Sequence, residues 1–153
     1  MKKVLVHFVL LLVPVFLPVA VKGDGLEAIA VIVHKDSAVD VLAKDDLRPI
    51  FQTKKTEWDN GKSILPFNMP DDNSVRQGFD SAVLGLDPDR VARYWVDRKI
   101  RGGARPPKTV PSAQRVISYV GRVPNAIGYV YVSEVDDSVK VVARIVEGQV
   151  QAP

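Results

Sequence analysis

The sequence predicts an α/β domain, a mixed, mostly parallel sheet flanked by helices. Three observations carry that expectation. Apolar runs of strand length, at Glu27–His34, Ser63–Asn68, Ala126–Val132 and Val139–Val146, alternate with segments whose apolar residues recur at helical spacing. Turn and breaker residues stand between these segments, and no internal repeat is present. The chain beyond residue 23 is roughly 130 residues long, enough for one hydrophobic core and hardly for two.

The elements follow in order. Residues 1–23 have the layout of a secretory signal peptide: basic Lys2-Lys3, a nearly all-apolar run from Val4 to Ala20, and small residues at Ala20 and Gly23. An uncleaved anchor is the alternative; Pro14 and Pro18 disfavour it, because they interrupt a segment already short for a membrane span. The expected division is a signal peptide at 1–23, an α/β domain at 24–148 and a loose C-terminal tail at 149–153. Ala28–Val33 is continuously apolar, as a strand buried on both faces requires. Lys44–Phe51 reads as a short helix, with Asp45 and Asp46 in its first turn and Leu47, Ile50 and Phe51 on its apolar side. A polar loop with an Asn60-Gly61 turn leads to the Ser63–Asn68 strand.

Asn73 or Ser74 can cap the next helix, whose inward side is Val75, Phe79, Ala82 and Val83 and whose end is Gly85. Asp87-Pro88 starts a third helix with Val91, Tyr94, Trp95 and Val96 on its buried side. After the Gly/Pro-rich loop 101–107, Ser112 caps a fourth helix reaching Tyr119 or Val120, and two strands close the domain.

Composition excludes several functions. Of 21 basic and 18 acidic residues, Lys2, Lys3 and Lys22 fall in the leader, which leaves a mature chain balanced at 18 against 18. A global electrostatic case for nucleic acid therefore fails. The chain has no cysteine, which rules out disulfides, thiolate chemistry and a lipoprotein anchor. The expected location is periplasmic or secreted, with no membrane span once the leader is cleaved.

His34 is the only histidine outside the leader, too few for a usual zinc site. No phosphate-cradling glycine loop precedes a helix. The pairs Asp45/Asp46 and Asp136/Asp137 are adjacent in sequence and so cannot face one pocket from a helix. A non-enzyme without cofactor or metal is expected.

Two constellations could carry binding. The segment Asp71–Arg76 delivers a strand to a helix start, where free N–H groups at 74–76, the Ser74 hydroxyl and the Arg76 guanidinium can hold a tetrahedral oxyanion. The competing reading is an ordinary N-capped helix with Arg76 in solvent. Asp71 and Asp72 oppose an anion here, although a carboxylate can accept a hydrogen bond from a protonated phosphate oxygen. From Arg90 to Lys108 the chain holds seven basic residues against Asp97 alone, forming either an anion-attracting rim led by Arg98 and Arg101 or a solvated polar face. Trp58, Tyr94 and Trp95 could form a cage, but their spacing favours core packing.

Leu47-Arg-Pro-Ile-Phe51, Trp58, the run from Ser63 to Phe79 and Ala126-Ile-Gly-Tyr-Val130 together resemble the periplasmic phosphate-binding proteins of ABC importers. The resemblance covers about Ala28 to Val132. It implies one lobe of a type II periplasmic-binding-protein fold. Counting back from Phe79, Asn73 falls where that family has Ser, Ser74 where it has Gly and Val75 where it has Thr, while Asn68 falls near its arginine. The candidate ligand-binding residues are therefore Asn68, Asn73, Ser74, Val75 and Arg76, joined by Arg98 and Arg101. The function implied is an exported solute-binding-like module for phosphate or a related oxyanion, linked to phosphate ABC transport, with its cleft completed by a partner protein or as a homo-oligomer. The alternative is an accessory interaction module that keeps the fold and docks through the basic 90–108 face or a sheet edge.

Overall fold

The computed structural model describes residues 27–153; the expected signal peptide lies outside the described residues. A six-stranded sheet with the order β3-β2-β4-β1-β5-β6 forms the centre. Its strands are β1 (Ile29–His34), β2 (Leu65–Asn68), β3 (Lys108–Thr109), β4 (Ala126–Tyr131), β5 (Val139–Val146) and β6 (Gln149–Gln151). β1 is buried along all but its last residue, as its unbroken apolar run requires, and lies between β4 and β5. The sheet is mixed. β2, β3, β4 and β5 point one way, while β1 and β6 run against them. The expectation of mostly parallel strands holds for direction but not for pairing. With β1 inserted between two strands of the opposite sense and β6 turned back on β5, three of the five pairings are antiparallel.

Helices cover both faces. α1 (Lys44–Phe51) turns Leu47, Ile50 and Phe51 inward, and Asp46 accepts a hydrogen bond from the Ala43 N–H at 2.9 Å. α2 (Ser74–Phe79) passes into a single π-helical turn at Asp80–Leu84 and stops at Gly85 in the left-handed conformation. Phe79 lies flat on Tyr129 of β4 at 3.9 Å and meets Phe51 edge-on at 4.5 Å, which welds α1 and α2 to one face of the sheet. α3 (Pro88–Ile100) starts as its sequence predicts, with Asp87 accepting from the Arg90 N–H at 2.9 Å. α4 (Ala113–Val120) is capped by Ser112 and covers the opposite face.

That opposite face depends on Gly128. A Cβ at this position would stand 2.5 Å from Val116 Cγ1 on α4, and a β-branched side chain in a helix has little freedom to turn away. Gly128→Ala is expected to cost about 1–3 kcal/mol by overpacking, read as a lowered urea midpoint with an unchanged slope.

Two expectations are corrected. Of the tail expected to be loose at 149–153, Gln149–Gln151 instead form β6, because Glu147 (φ 50°) and Gly148 (φ 74°) both take positive φ and make the two-residue turn that pairs Val146 with Gln149. On α3, Val91 is buried and Trp95 packs against the core, but Val96 is 56% exposed, because it lies off that side of the helix. Among the described residues no helix is long and apolar enough to cross a membrane.

Candidate ligand-binding cleft

β2 and β3 run in parallel and end side by side, with Asn68 paired to Thr109. Outside the carboxyl ends of such strands is where α/β sheets commonly take ligands. A cleft of about 230 Å³ opens there, lined among others by Asn68, Asp71, Arg76, Asp80, Trp95 and Thr109.

The first turn of α2 sits beside it. Asn73 is the cap: its side-chain oxygen accepts from the N–H groups of Val75 at 2.9 Å and Arg76 at 3.4 Å. Two of the amides expected to be free for an anion are thus already engaged. Val75 points into the core, and the Ser74 hydroxyl meets the Tyr131 hydroxyl at 2.9 Å. None of Asn73, Ser74 and Val75 lines the cleft.

Arg76 is neither solvated nor unattached. It is 4% exposed; Nε donates to Asp80 at 2.6 Å and Nη1 donates to the Met69 carbonyl at 2.8 Å, with the Asp71 carboxylate 3.2 Å from Nη1. Burial works to lower the Arg76 pKa, but the acidic groups around it, the Asp80 and Asp71 carboxylates among them, outweigh it, and the shift is upward. Asp80 is itself buried, and that burial holds its carboxyl above the ordinary carboxylate range against the pull of Arg76. Burial also drives the Tyr129 phenol far up, so it stays neutral and donates to the Asn68 side-chain oxygen at 3.1 Å. Asn68, Tyr129, Arg76 and Asp80 form one buried polar layer over the Phe79 stack.

One guanidinium nitrogen is left over. Among the described residues Arg76 Nη2 makes no hydrogen bond, and Arg76 borders the cleft.

Arg98 and Arg101 do not reach this place. Arg98 donates to the Tyr94 hydroxyl at 3.1 Å and lies over the Tyr94 and Trp95 rings, while Arg101 is exposed in the following loop. Trp95 is half-buried, packs against the core as its spacing predicted, and also lines the cleft.

Sequence reasoning missed Asp80, Thr109 and Tyr129. Asp80 was within reach: it stands four residues from Arg76 on the side of α2 that Val75 and Phe79 mark as buried, the spacing of an intrahelical ion pair. Thr109 had no signal, because a two-residue strand leaves no periodicity.

No protein-family model matches the chain, and no curated protein does. Solved structures do match. They include an ABC-type phosphate transport receptor from Vibrio cholerae, at TM-score 0.61 and 19% identity over 77% of this chain and 47% of that one. A substrate-binding protein with bound phosphate, assigned to a phosphate ABC transporter of Clostridium perfringens, matches at TM-score 0.63 and 26% identity over 77% and 46%. PstS from Borrelia burgdorferi matches at 0.59 and 14% over 76% and 46%. The fold is shared. The sheet and its helices resemble one lobe of these proteins, and the chain spans about half the length of the structures it matches. The neighbours are transport substrate-binding proteins and not enzymes. Among the described residues no cluster of His, Cys, Asp and Glu could hold a metal ion.

Proposed function

We propose that this chain is an exported solute-binding-like module that takes phosphate or a related oxyanion at the cleft beside Arg76, in the service of phosphate ABC transport. The observation that carries the reading is the state of Arg76. Asp80 and the Met69 carbonyl fix the guanidinium rigidly at the strand ends, and Arg76 borders a cleft several times the ~30 Å³ share of one water molecule. A cation held in place beforehand loses little side-chain entropy when it binds an oxyanion. Asn68 and Thr109 supply neutral polar groups alongside. The likeness to phosphate receptors supports the ligand class, and the leader at 1–23 supports an extracytoplasmic setting. A ligand bound from this side alone keeps much of its surface in water, which weakens each contact, unless a second copy or another protein closes over it.

Asp71 competes for the same guanidinium. Its carboxylate is 88% exposed and lies 3.2 Å from Nη1, where an oxyanion would feel its charge. Titration of the protein recovered from cells expressing the full chain with inorganic phosphate should give saturable heat. Asp71→Asn, which removes an exposed charge and leaves the buried pair intact, should tighten binding on the order of tenfold. No binding by either protein, or an unchanged affinity in the variant, would overturn the reading.

A further inference from the structure

α3 presents one unbroken strip of surface along its length. Pro88, Val91, Ala92, Trp95 and Lys99 recur at the three- and four-residue steps that bring side chains onto one side of a helix, and Val96 adjoins Trp95. The first four line the oxyanion cleft; Trp95, Val96 and Lys99 line a groove of about 800 Å³ further along the helix. The segment facing α3 runs past both. Pro106, Pro107 and Thr109 border cleft and groove alike, and Gly103, Ala104 and Arg105 border the groove. With Trp95 shared on one wall and the two prolines on the other, the two spaces are halves of one trough.

The halves differ in chemistry. Asn68, Asp71, Arg76 and Asp80 gather in the cleft. The groove offers the Trp95 ring, Val96, Ala104 and the two prolines, and among the described residues no carboxylate lines it. Its charged residues, Lys99 and Arg105, are exposed, and among the described residues neither takes part in an ion pair. They repel a cationic occupant. The cleft alone, at about 230 Å³, falls short of the ~300–1,000 Å³ usual for small-molecule sites, whereas the groove lies within that range. Inorganic phosphate beside Arg76 leaves the apolar wall of the groove in water. An apolar group attached to the phosphoryl oxygen would extend along the trough and cover that wall.

We propose that the trough takes a phosphate monoester of an uncharged, ring-bearing organic group, with its phosphoryl oxygens beside Arg76 and its ring against Trp95. The proposal rests on the oxyanion reading of the cleft and adds the class of ligand.

Calorimetric titration of the same protein with inorganic phosphate, phenyl phosphate, phosphocholine and phenol tests it. Phenyl phosphate should bind about tenfold or more tightly than inorganic phosphate, because its ring leaves water. Phosphocholine, whose ammonium meets Lys99 and Arg105, should gain nothing over inorganic phosphate, and phenol should not bind. Val96→Asn, a neutral change at a position 56% exposed, should remove most of the phenyl phosphate advantage and leave the affinity for inorganic phosphate unchanged. An unchanged melting temperature verifies that the variant is folded. The proposal alone is overturned, and the oxyanion reading stands, if inorganic phosphate binds as tightly as phenyl phosphate, if phosphocholine gains as much, or if Val96→Asn keeps the full preference. It is equally overturned if phenol binds as tightly as phenyl phosphate, because the phosphoryl group then contributes nothing. Binding of none of the four overturns both.

Discussion

Arg76→Met should lower the stability of the fold by about 3–5 kcal/mol, the range for removing one partner of a buried ion pair. The cost comes less from the hydrogen bonds that Arg76 made than from the groups it leaves behind. Asp80 stays buried with no cation beside it, and the Met69 carbonyl is without its donor. The variant should also acquire a distinctive pH dependence. Burial already holds the Asp80 carboxyl above its ordinary value, and without Arg76 to oppose it the shift grows. A carboxyl whose pKa is higher folded than unfolded binds its proton more tightly in the folded state. Stability therefore falls as pH rises through the folded pKa and returns as pH drops below it. Urea midpoints of Arg76→Met measured from the ordinary carboxylate pKa upward should fall as pH rises, beyond any trend in the parent protein. Adding Asp80→Leu should recover much of the loss and remove the extra pH dependence, because both charges are then gone.

Phe79→Ala should cost about 3–5 kcal/mol, the range for emptying a fully buried aromatic site. Phe79 has no exposed surface, and its ring is shared between Tyr129 on the sheet and Phe51 on α1. Neither neighbour can collapse into the space. Tyr129 is held through its hydroxyl on Asn68, and Phe51 is fixed by the end of α1. Phe79→Leu keeps most of the volume and should lose less than the alanine variant, so the pair of urea midpoints separates the cavity from the loss of ring stacking. An alanine variant as stable as the parent would contradict the placement of Phe79 at the junction of α1, α2 and β4.

The sequence announced most of this fold for physical reasons. α1 carries acids in its first turn and apolar residues at helical spacing, and its observed bounds are those expected. Asp87-Pro88 and Ser112 start their helices because a capping side chain and a fixed proline φ act locally. β6 was not legible as a strand. Its pairing rests on Glu147 accepting a positive φ beside Gly148, and Glu gives little notice of that. β3 pairs through two residues only, and tertiary position alone makes it a strand.

The cleft was half visible. Asn68 and Arg76 were named, and both line it. Asn73 was named as ligand-binding and also as a cap; its distances to Val75 N and Arg76 N show the cap. What escaped was the long-range part. The approach of Thr109 and of the Pro106-Pro107 wall depends on a chain crossing that no local pattern encodes.

If Asp80 pins Arg76 while one guanidinium nitrogen stays available to an oxyanion, nitrogen-resolved NMR of the arginine side chains during titration with inorganic phosphate will see both halves of that arrangement. The Arg76 Nε–H should exchange slowly with and without phosphate, because its bond to Asp80 is buried. The Arg76 Nη signals should shift saturably in the same titration. An Nε–H that exchanges as fast as those of Arg93 and Arg101, or Nη signals unmoved by phosphate, would refute the arrangement.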